Sequence, residues 1–180
     1  MRVNLLAKRY AQALFNLALE QKIQDKVEAD MQLIDQVLRE NKELNRILSN
    51  PVITNEKKIK LLDAIFKKQV TKLTLEFFKL LTKKNRETYL DSICLAYLDI
   101  HRQYYKILPL TLVTAFKANK ATKDTIVKKV ADVTKKKIEL EEVVDEEIVG
   151  GFVINYGDYQ YDASIKTQLN KLQKQFSKNL

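Results

Sequence analysis

Two residue types that carry much of nucleophilic and metal chemistry occur once each in this chain, as His101 and Cys94. A single cysteine excludes an internal disulfide framework and a cysteine-based zinc site. A single histidine excludes a His cluster and paired-His haem ligation. Serine or cysteine nucleophiles would have only His101 as their base. That residue follows Ile100 and lies one helical turn after Tyr97, a setting that predicts a partly buried, hydrogen-bonded histidine. Cys94, in the same stretch, reads as a small core hydrophobe. Carboxylates gather at Glu139, Glu141, Glu142, Asp145, Glu146 and Glu147. Paired acids can do acid–base work when one is buried, but this run borders Lys135, Lys136 and Lys137 and reads as charged surface. All three glycines fall in GGFVINYGD, residues 150–158. A phosphate cradle would need glycines between a strand and a helix N-terminus. Here Gly150 and Gly151 precede a strand, as a bulge, and Gly157-Asp158 forms a hairpin turn. No constellation supports an enzyme; no cofactor or metal is expected.

The elements that position these residues change period near residue 106. Before it the pattern is helical. Residues 5–20 carry a narrow polar stripe, Arg9, Gln12, Asn16 and Glu20, with apolar residues on both sides of it. Leu6, Tyr10, Ala13, Leu14 and Leu17 lie on one side; Ala11, Phe15, Ala18 and Leu19 lie on the other. A surface helix normally shows one apolar face, so this one must be covered twice. Residues 25–40 are an ordinary amphipathic helix (Val27, Met31, Ile34, Leu38). Short helices follow at 42–48 and 55–68, the latter capped by Thr54 and facing inward with Ile59, Leu62 and Phe66. Residues 71–84 repeat the doubled apolar pattern, with Leu73, Phe77 and Leu80 on one side and Leu75, Phe78 and Leu81 on the other. A sixth helix spans 87–105, its inward stripe running from Leu90 to Tyr104.

After 106, ILPLTLVTAF (107–116) reads as a strand and 121–134 as a helix with Ile126, Val130 and Val133 inward. A charged strand (135–145) and a hairpin (146–162) follow. A last helix begins after an Asp162 cap and carries the stripe Ile165, Leu169, Leu172 and Phe176. The expected fold class is therefore α+β, a six-helix bundle (1–105) followed by a small α+β domain (106–180).

The formal charge is +9, from 32 basic and 23 acidic residues. Only six of the basic residues are arginine, whereas nucleic-acid readers favour arginine for bidentate contacts. The first 106 residues hold 20 basic and 13 acidic groups, the remainder 12 and 10. Apolar runs are short and interrupted, so none approaches the ~20 residues of a membrane span. The basic N-terminal stretch lacks a secretory core, and amphipathic structure begins at once. The expectation is a mature intracellular protein that binds rather than catalyses.

RYAQALFNLALE near the start and GGFVINYGDYQYDASIKTQLNKL near the end resemble the delta-subunit (oligomycin sensitivity-conferral protein) family of the F-type ATP synthase. The KKNR element at 83–86 is a weaker match: the family tends to have glycine where Asn85 stands, and asparagine also accepts a left-handed backbone. The resemblance implies a non-catalytic stator subunit that resists rotor torque during proton-driven ATP synthesis. It implies that the helical domain binds the N-terminal helix of an alpha subunit, in a groove between the first and fifth helices. Those are the two helices with doubled apolar faces, and the implied contacts are Tyr10, Ala13, Leu14, Leu17, Leu73, Phe77 and Leu80. The C-terminal domain would contact the b subunits of the peripheral stalk; the stripe Ile165, Leu169, Leu172 and Phe176 either meets that stalk or packs on the hairpin as core, since a small domain buries a smaller share of its surface. Gly150, Gly151, Gly157 and Asp158 carry the family signature, in a structural role. No nucleic acid is implied, and membrane association is expected only through the complex, at the cytoplasmic face of a bacterial plasma membrane. The alternative from another class is a helical RNA-binding factor of the antitermination type, which the basic first half would fit.

Overall fold

The computed structural model describes residues 5–145, 148, 150–157 and 159–169. The chain divides into two compact units, Met1–Tyr104 and Tyr105–Leu180. The first is helical; the second holds a four-stranded sheet, making the protein α+β.

In the first unit, α1 (Leu5–Glu20), α2 (Gln24–Glu40), α3 (Lys42–Ser49), α4 (Asn55–Phe66), α5 (Lys72–Lys83) and α6 (Leu90–Tyr104) are joined by short turns. A single 3-10 turn at Glu87–Tyr89 occupies the stretch where the sequence predicts the start of the sixth helix. α1 packs along α6. Its small residues Ala7, Ala11 and Ala18 are fully buried, so the two backbones approach closely. Phe15 closes the seam edge-on to Tyr97, 5.7 Å between ring centres. Tyr97 donates its hydroxyl to the Gln24 carbonyl at 3.1 Å, which satisfies its one polar group in the core. α2 contributes Val27, Met31, Ile34 and Leu38 to the same core.

The helix ends follow local chemistry. α1 and α5 both end in Schellman turns, with Lys22 and Asn85 in the left-handed region at φ 56° and 54°. The Ile23 and Arg86 amides reach back to Ala18 and Leu81, at 2.9 Å each. Asn85 thus adopts the conformation for which glycine is the usual residue. Thr71 caps α5 by accepting from the Thr74 amide. Thr54 sits at the N-cap of α4, but its side chain makes no capping bond, contrary to the expectation from sequence.

Two polar clusters inside the bundle have no counterpart in the apolar periodicity. The Asp30 carboxylate accepts from the Thr71 amide and from the Thr71 and Thr74 hydroxyls at 2.7–2.8 Å, fixing the start of α5 to α2. Lys58 occupies the inward line of α4 with Leu62 and Phe66, while Ile59 is only half-buried. Its ammonium pairs with Glu87 at 2.5 Å and donates to the Leu48 carbonyl at 2.6 Å. The pair joins α3, α4 and the 3-10 turn.

In the second unit, β1 (Ile107–Thr114) pairs in parallel with β2 (Lys137–Val144) across the helix α7 (Lys120–Thr134). β3 (Phe152–Tyr156) runs antiparallel to β1, and β4 (Tyr159–Asp162) closes a hairpin on β3. The sheet order is β2-β1-β3-β4. Pro109 lies beyond the Thr111–Thr114 stretch of β1 that pairs with β3, where its missing N–H is tolerated. Leu110, Leu112 and Ile154 form the core with Ile126 of α7, and Val130, Ile138, Leu140 and Phe152 pack around them. Asn119 caps α7 through the Thr122 amide at 2.8 Å, and Lys135, at φ 56°, ends it before β2 begins.

Two expectations are corrected here. Val133 of α7 is 83 % exposed rather than inward, because α7 packs on β2 and that side of the helix faces the part of the sheet it does not cover. Glu142 does not belong to a solvated run: it is in phase with Ile138 and Leu140 along β2 and points toward α7.

Candidate partner-binding surfaces

The first surface lies on α1 and α5. One side of α1, made of Ala7, Ala11, Leu14, Phe15 and Ala18, is spent on the bundle core. The next side, Leu6, Tyr10, Ala13 and Leu17, is not covered: Leu17 is 46 % exposed, Ala13 is exposed, and Leu6 and Tyr10 are half-buried. A hollow of about 610 Å³ is lined there by Leu5, Leu6, Arg9, Tyr10 and Ala13. On α5, Phe77 is buried, Leu73 half-buried and Leu80 46 % exposed. Tyr10 and Phe77 meet edge-to-face at 6.4 Å, bridging the two helices at one point. An apolar strip of this kind suits an amphipathic helix.

Two residues of the expected contact set are corrected: Phe77, 6 % exposed, and Leu14 both belong to the buried core. Leu14 is buried to 1 % exposure and is part of the core. Its position on the helix lies between the buried alanines and the open strip, and the core takes it.

The second surface is organised by the glycine pair. Ile165 donates its amide to the Gly150 carbonyl at 2.9 Å, and Ala163 to that of Phe152 at 3.0 Å, so the chain entering β3 lies against the chain leaving β4. A Cβ on Gly151 would sit 2.4 Å from the Ala163 carbonyl oxygen, and this residue also has φ +80°. A Cβ on Gly150 would meet the Ile165 side chain at 2.7 Å. Gly151 therefore serves a close approach to backbone rather than a simple bulge, whereas Gly150 meets only the movable end of a side chain. Gly157 takes φ +54° in the hairpin turn with open space around it; Asp158 lies outside the described residues. Ser164, not Asp162, occupies the cap of the final helical segment, accepting from the Thr167 amide at 3.3 Å. Asp162 braces that cap from outside, accepting from the Ser164 amide at 2.8 Å and the Thr167 hydroxyl at 2.7 Å. Ile165 and Leu169 are 44 % and 57 % exposed; Leu172 and Phe176 lie outside the described residues.

The groups that could have carried chemistry are engaged structurally. His101 is buried, its Nε2 3.0 Å from the Asp25 carboxylate. Cys94 is fully buried, and desolvation, helped by the negative charges of Asp35 and Asp91, pushes its thiol far above the usual range. Glu142 pairs with Lys123 at 2.7 Å and accepts from the Ala118 amide at 2.7 Å. The Lys123 hydrogen bond, then the Ala118 amide, hold its carboxyl below the ordinary glutamate value. Among the described residues no group of three or more His, Cys, Asp or Glu could hold a metal.

Comparison with known proteins bears on what these surfaces serve. Residues 6–176 match the family model described as ATP synthase delta (OSCP) subunit. The ATP synthase subunit delta of Cytophaga hutchinsonii is 34% identical over 100% of this chain and 98% of its own length. That of a Synechococcus strain is 37% identical over 93% of each chain, and that of Bacteroides fragilis 35% over 98% and 96%. A chain in the Toxoplasma gondii mitochondrial ATP synthase hexamer shares the fold at a TM-score of 0.72, with 21% identity over 96% of this chain and 98% of that one. A single match that runs through both units and nearly the full length of these relatives assigns the whole chain: it belongs to the ATP synthase delta (OSCP) subunit family.

Proposed function

We propose that this chain, a structural and non-catalytic subunit of the ATP synthase complex, is the stator joint that ties the catalytic head to the peripheral stalk. In this reading the first unit holds the N-terminal helix of an alpha subunit and the second holds the ends of the b subunits. The joint does no chemistry. It resists the torque of the rotor, so that the head does not turn with the shaft and ion-driven rotation, of protons in our reading, is converted into ATP synthesis. The RNA-binding alternative has no support, since the relatives matched along the chain are ATP synthase delta subunits.

The observation that carries this reading is the uncovered apolar side of α1 with Leu80 of α5 beside it. Such a strip exposes apolar area to water until a partner covers it. A joint under torque needs tight binding, and a Kd of 1 nM corresponds to about 12 kcal/mol. One helix can approach that only where the groove is preformed. The seam that seats α1 on α6 through buried alanines fixes the helix backbone that carries that strip.

No helix among the described residues is long and apolar enough to cross a membrane. Association with the membrane-bound complex is then peripheral, and the bacterial relatives support the cytoplasmic face of the plasma membrane. The test of the groove is titration of the full chain and its Ala13→Asp variant with a peptide of the alpha-subunit N-terminus. Loss of affinity by at least tenfold with unchanged helical circular dichroism is expected. Equal affinity would remove this face of α1 from the interface.

A further inference from the structure

We propose that Asp30 is the positioning residue of the groove between α1 and α5: from α2 it fixes the roll of α5, and with it the spacing of the two apolar walls. The inference rests on the reading that this groove holds a helix of the alpha subunit. It assigns the groove's geometry to a residue outside the expected contact set.

α2 carries an inward apolar series, and Asp30 stands within it, 6 % exposed beside Val27, Met31 and Ile34. A carboxylate there is costly to desolvate, and its bonds return little net stability. Their effect is directional. One oxygen, Oδ2, accepts from the Thr71 amide at 2.8 Å and from the Thr71 and Thr74 hydroxyls at 2.7 Å each. Each hydroxyl has one hydrogen to give. With both directed at Asp30, the Thr71 oxygen presents a lone pair to the Thr74 amide, 3.4 Å away, and the N-cap bond of α5 follows. The carboxylate also lies at the positive end of that helix. Thr71 and Thr74 lie on one side of the first turn, so a single atom of α2 holds α5 at two points. Two points fix both the position of the helix along its axis and its rotation about that axis.

The two walls of the groove have separate seats. α1 packs along α6. α5 packs on α4, on the 3-10 turn and on α2, and α2 in turn packs on α6. α1 and α5 meet through the edge-to-face pair of Tyr10 and Phe77, 6.4 Å between ring centres. Ring pairs of this kind are favourable from about 4.5 to 7 Å, so that contact alone leaves the walls free to shift by about 2 Å. The path from α6 through α2 and Asp30 to α5 supplies the missing constraint. Leu73 and Leu80 follow Thr71 along α5, about 3 and 14 Å farther along the axis at 1.5 Å per residue. A side chain ends about 5 Å from that axis, so a roll of about 20° would carry it about 2 Å. Binding constellations need to be held to about 0.5 Å.

The test compares variants of the full chain by titration with a peptide of the alpha-subunit N-terminus, at a temperature where circular dichroism shows each one folded. Asp30→Leu substitutes an apolar group of similar shape and removes all three bonds; it should weaken binding at least tenfold. Asp30→Asn keeps an acceptor oxygen and should stay within threefold of wild type. Met31→Ala opens the neighbouring core without touching the clamp; it should lower the melting temperature yet bind within threefold. Nitroxide labels on Gln12→Cys and Lys83→Cys, both exposed positions, read the walls directly, because Cys94 is fully buried and stays unlabelled. Their distance distribution by double electron–electron resonance should broaden with Asp30→Leu and not with Met31→Ala. Undiminished binding by Asp30→Leu, an equal loss with Met31→Ala, or an unchanged distance distribution would overturn the assignment. If Asp30→Leu does not fold, Thr74→Val takes its place: it removes one of the three donors and should weaken binding at least threefold, and equal affinity would overturn the assignment. Ala13→Asp separates the two readings. If it loses affinity while Asp30→Leu does not, the positioning role fails and the groove stands; if both bind as wild type does, both readings fail.

Discussion

Glu142 shows how one side chain's partners set a pH dependence. Its carboxyl is held below the ordinary value of 4.5 by the Lys123 hydrogen bond first and the Ala118 amide second. The folded state therefore favours the ionised form more than the unfolded chain does. Its contribution is fully present above that ordinary value and is lost as pH falls through the lower folded value. Thermal unfolding of wild type and Glu142→Gln across pH 3–7 should differ above about pH 4.5 and converge at the acid end; a constant gap would contradict the assignment. The buried Lys58–Glu87 pair behaves differently. Removing one partner strands a charge in the core, so Glu87→Ala should cost about 3–5 kcal/mol by urea denaturation. Replacing both by apolar residues of similar volume should cost far less, because no charge is stranded. Glu142 was legible in the sequence only through phase: it lies two and four residues from Leu140 and Ile138, the inward series of β2, although the surrounding acids suggested surface. Lys58 gave no such signal. A lysine at an inward position of α4 is explained by Glu87, 29 residues away, and by the Leu48 carbonyl.

At the scale of elements, hydrophobic period alone located α1, α2, α5, β1 and α7 to within about two residues, because each buries a face set by local spacing. What it could not separate was the two apolar sides of α1. Which side is core depends on α6, whose packing chooses the alanine-rich side and takes Leu14 with it. That division predicts a contrast. Leu14→Ala should cost about 2–5 kcal/mol of stability, whereas Leu17→Ala, on the open strip, should change unfolding little. Similar losses at both positions would mean that the strip is covered in the free protein. The glycines divide in the same manner. Gly151→Ala meets both a left-handed backbone and the Ala163 carbonyl, while Gly157→Ala meets only the backbone strain, worth roughly 1–2 kcal/mol. Chemical denaturation should therefore find Gly151→Ala the more damaging of the two. The glycine pair was readable as structural from its place before a strand. The close approach of Gly151 to Ala163 and Ser164 was not, because that contact arises only when the hairpin returns.

At the scale of the whole molecule, the change of period near residue 106 corresponds to the division into two units, each with its own apolar cluster. A joint between two bodies needs two binding surfaces, and among the described residues each unit has exposed apolar side chains, Leu17 and Leu80 in the first and Ile165 and Leu169 in the second. The direct measurement is reconstitution of an ATP synthase lacking this subunit with the fragment 1–104. The account predicts that the fragment folds, binds the head through the alpha N-terminus and leaves ATP hydrolysis intact, while ATP-driven ion pumping is lost until the full chain is supplied. Normal pumping with the fragment alone would contradict it, because the second unit would then carry no part of the stator.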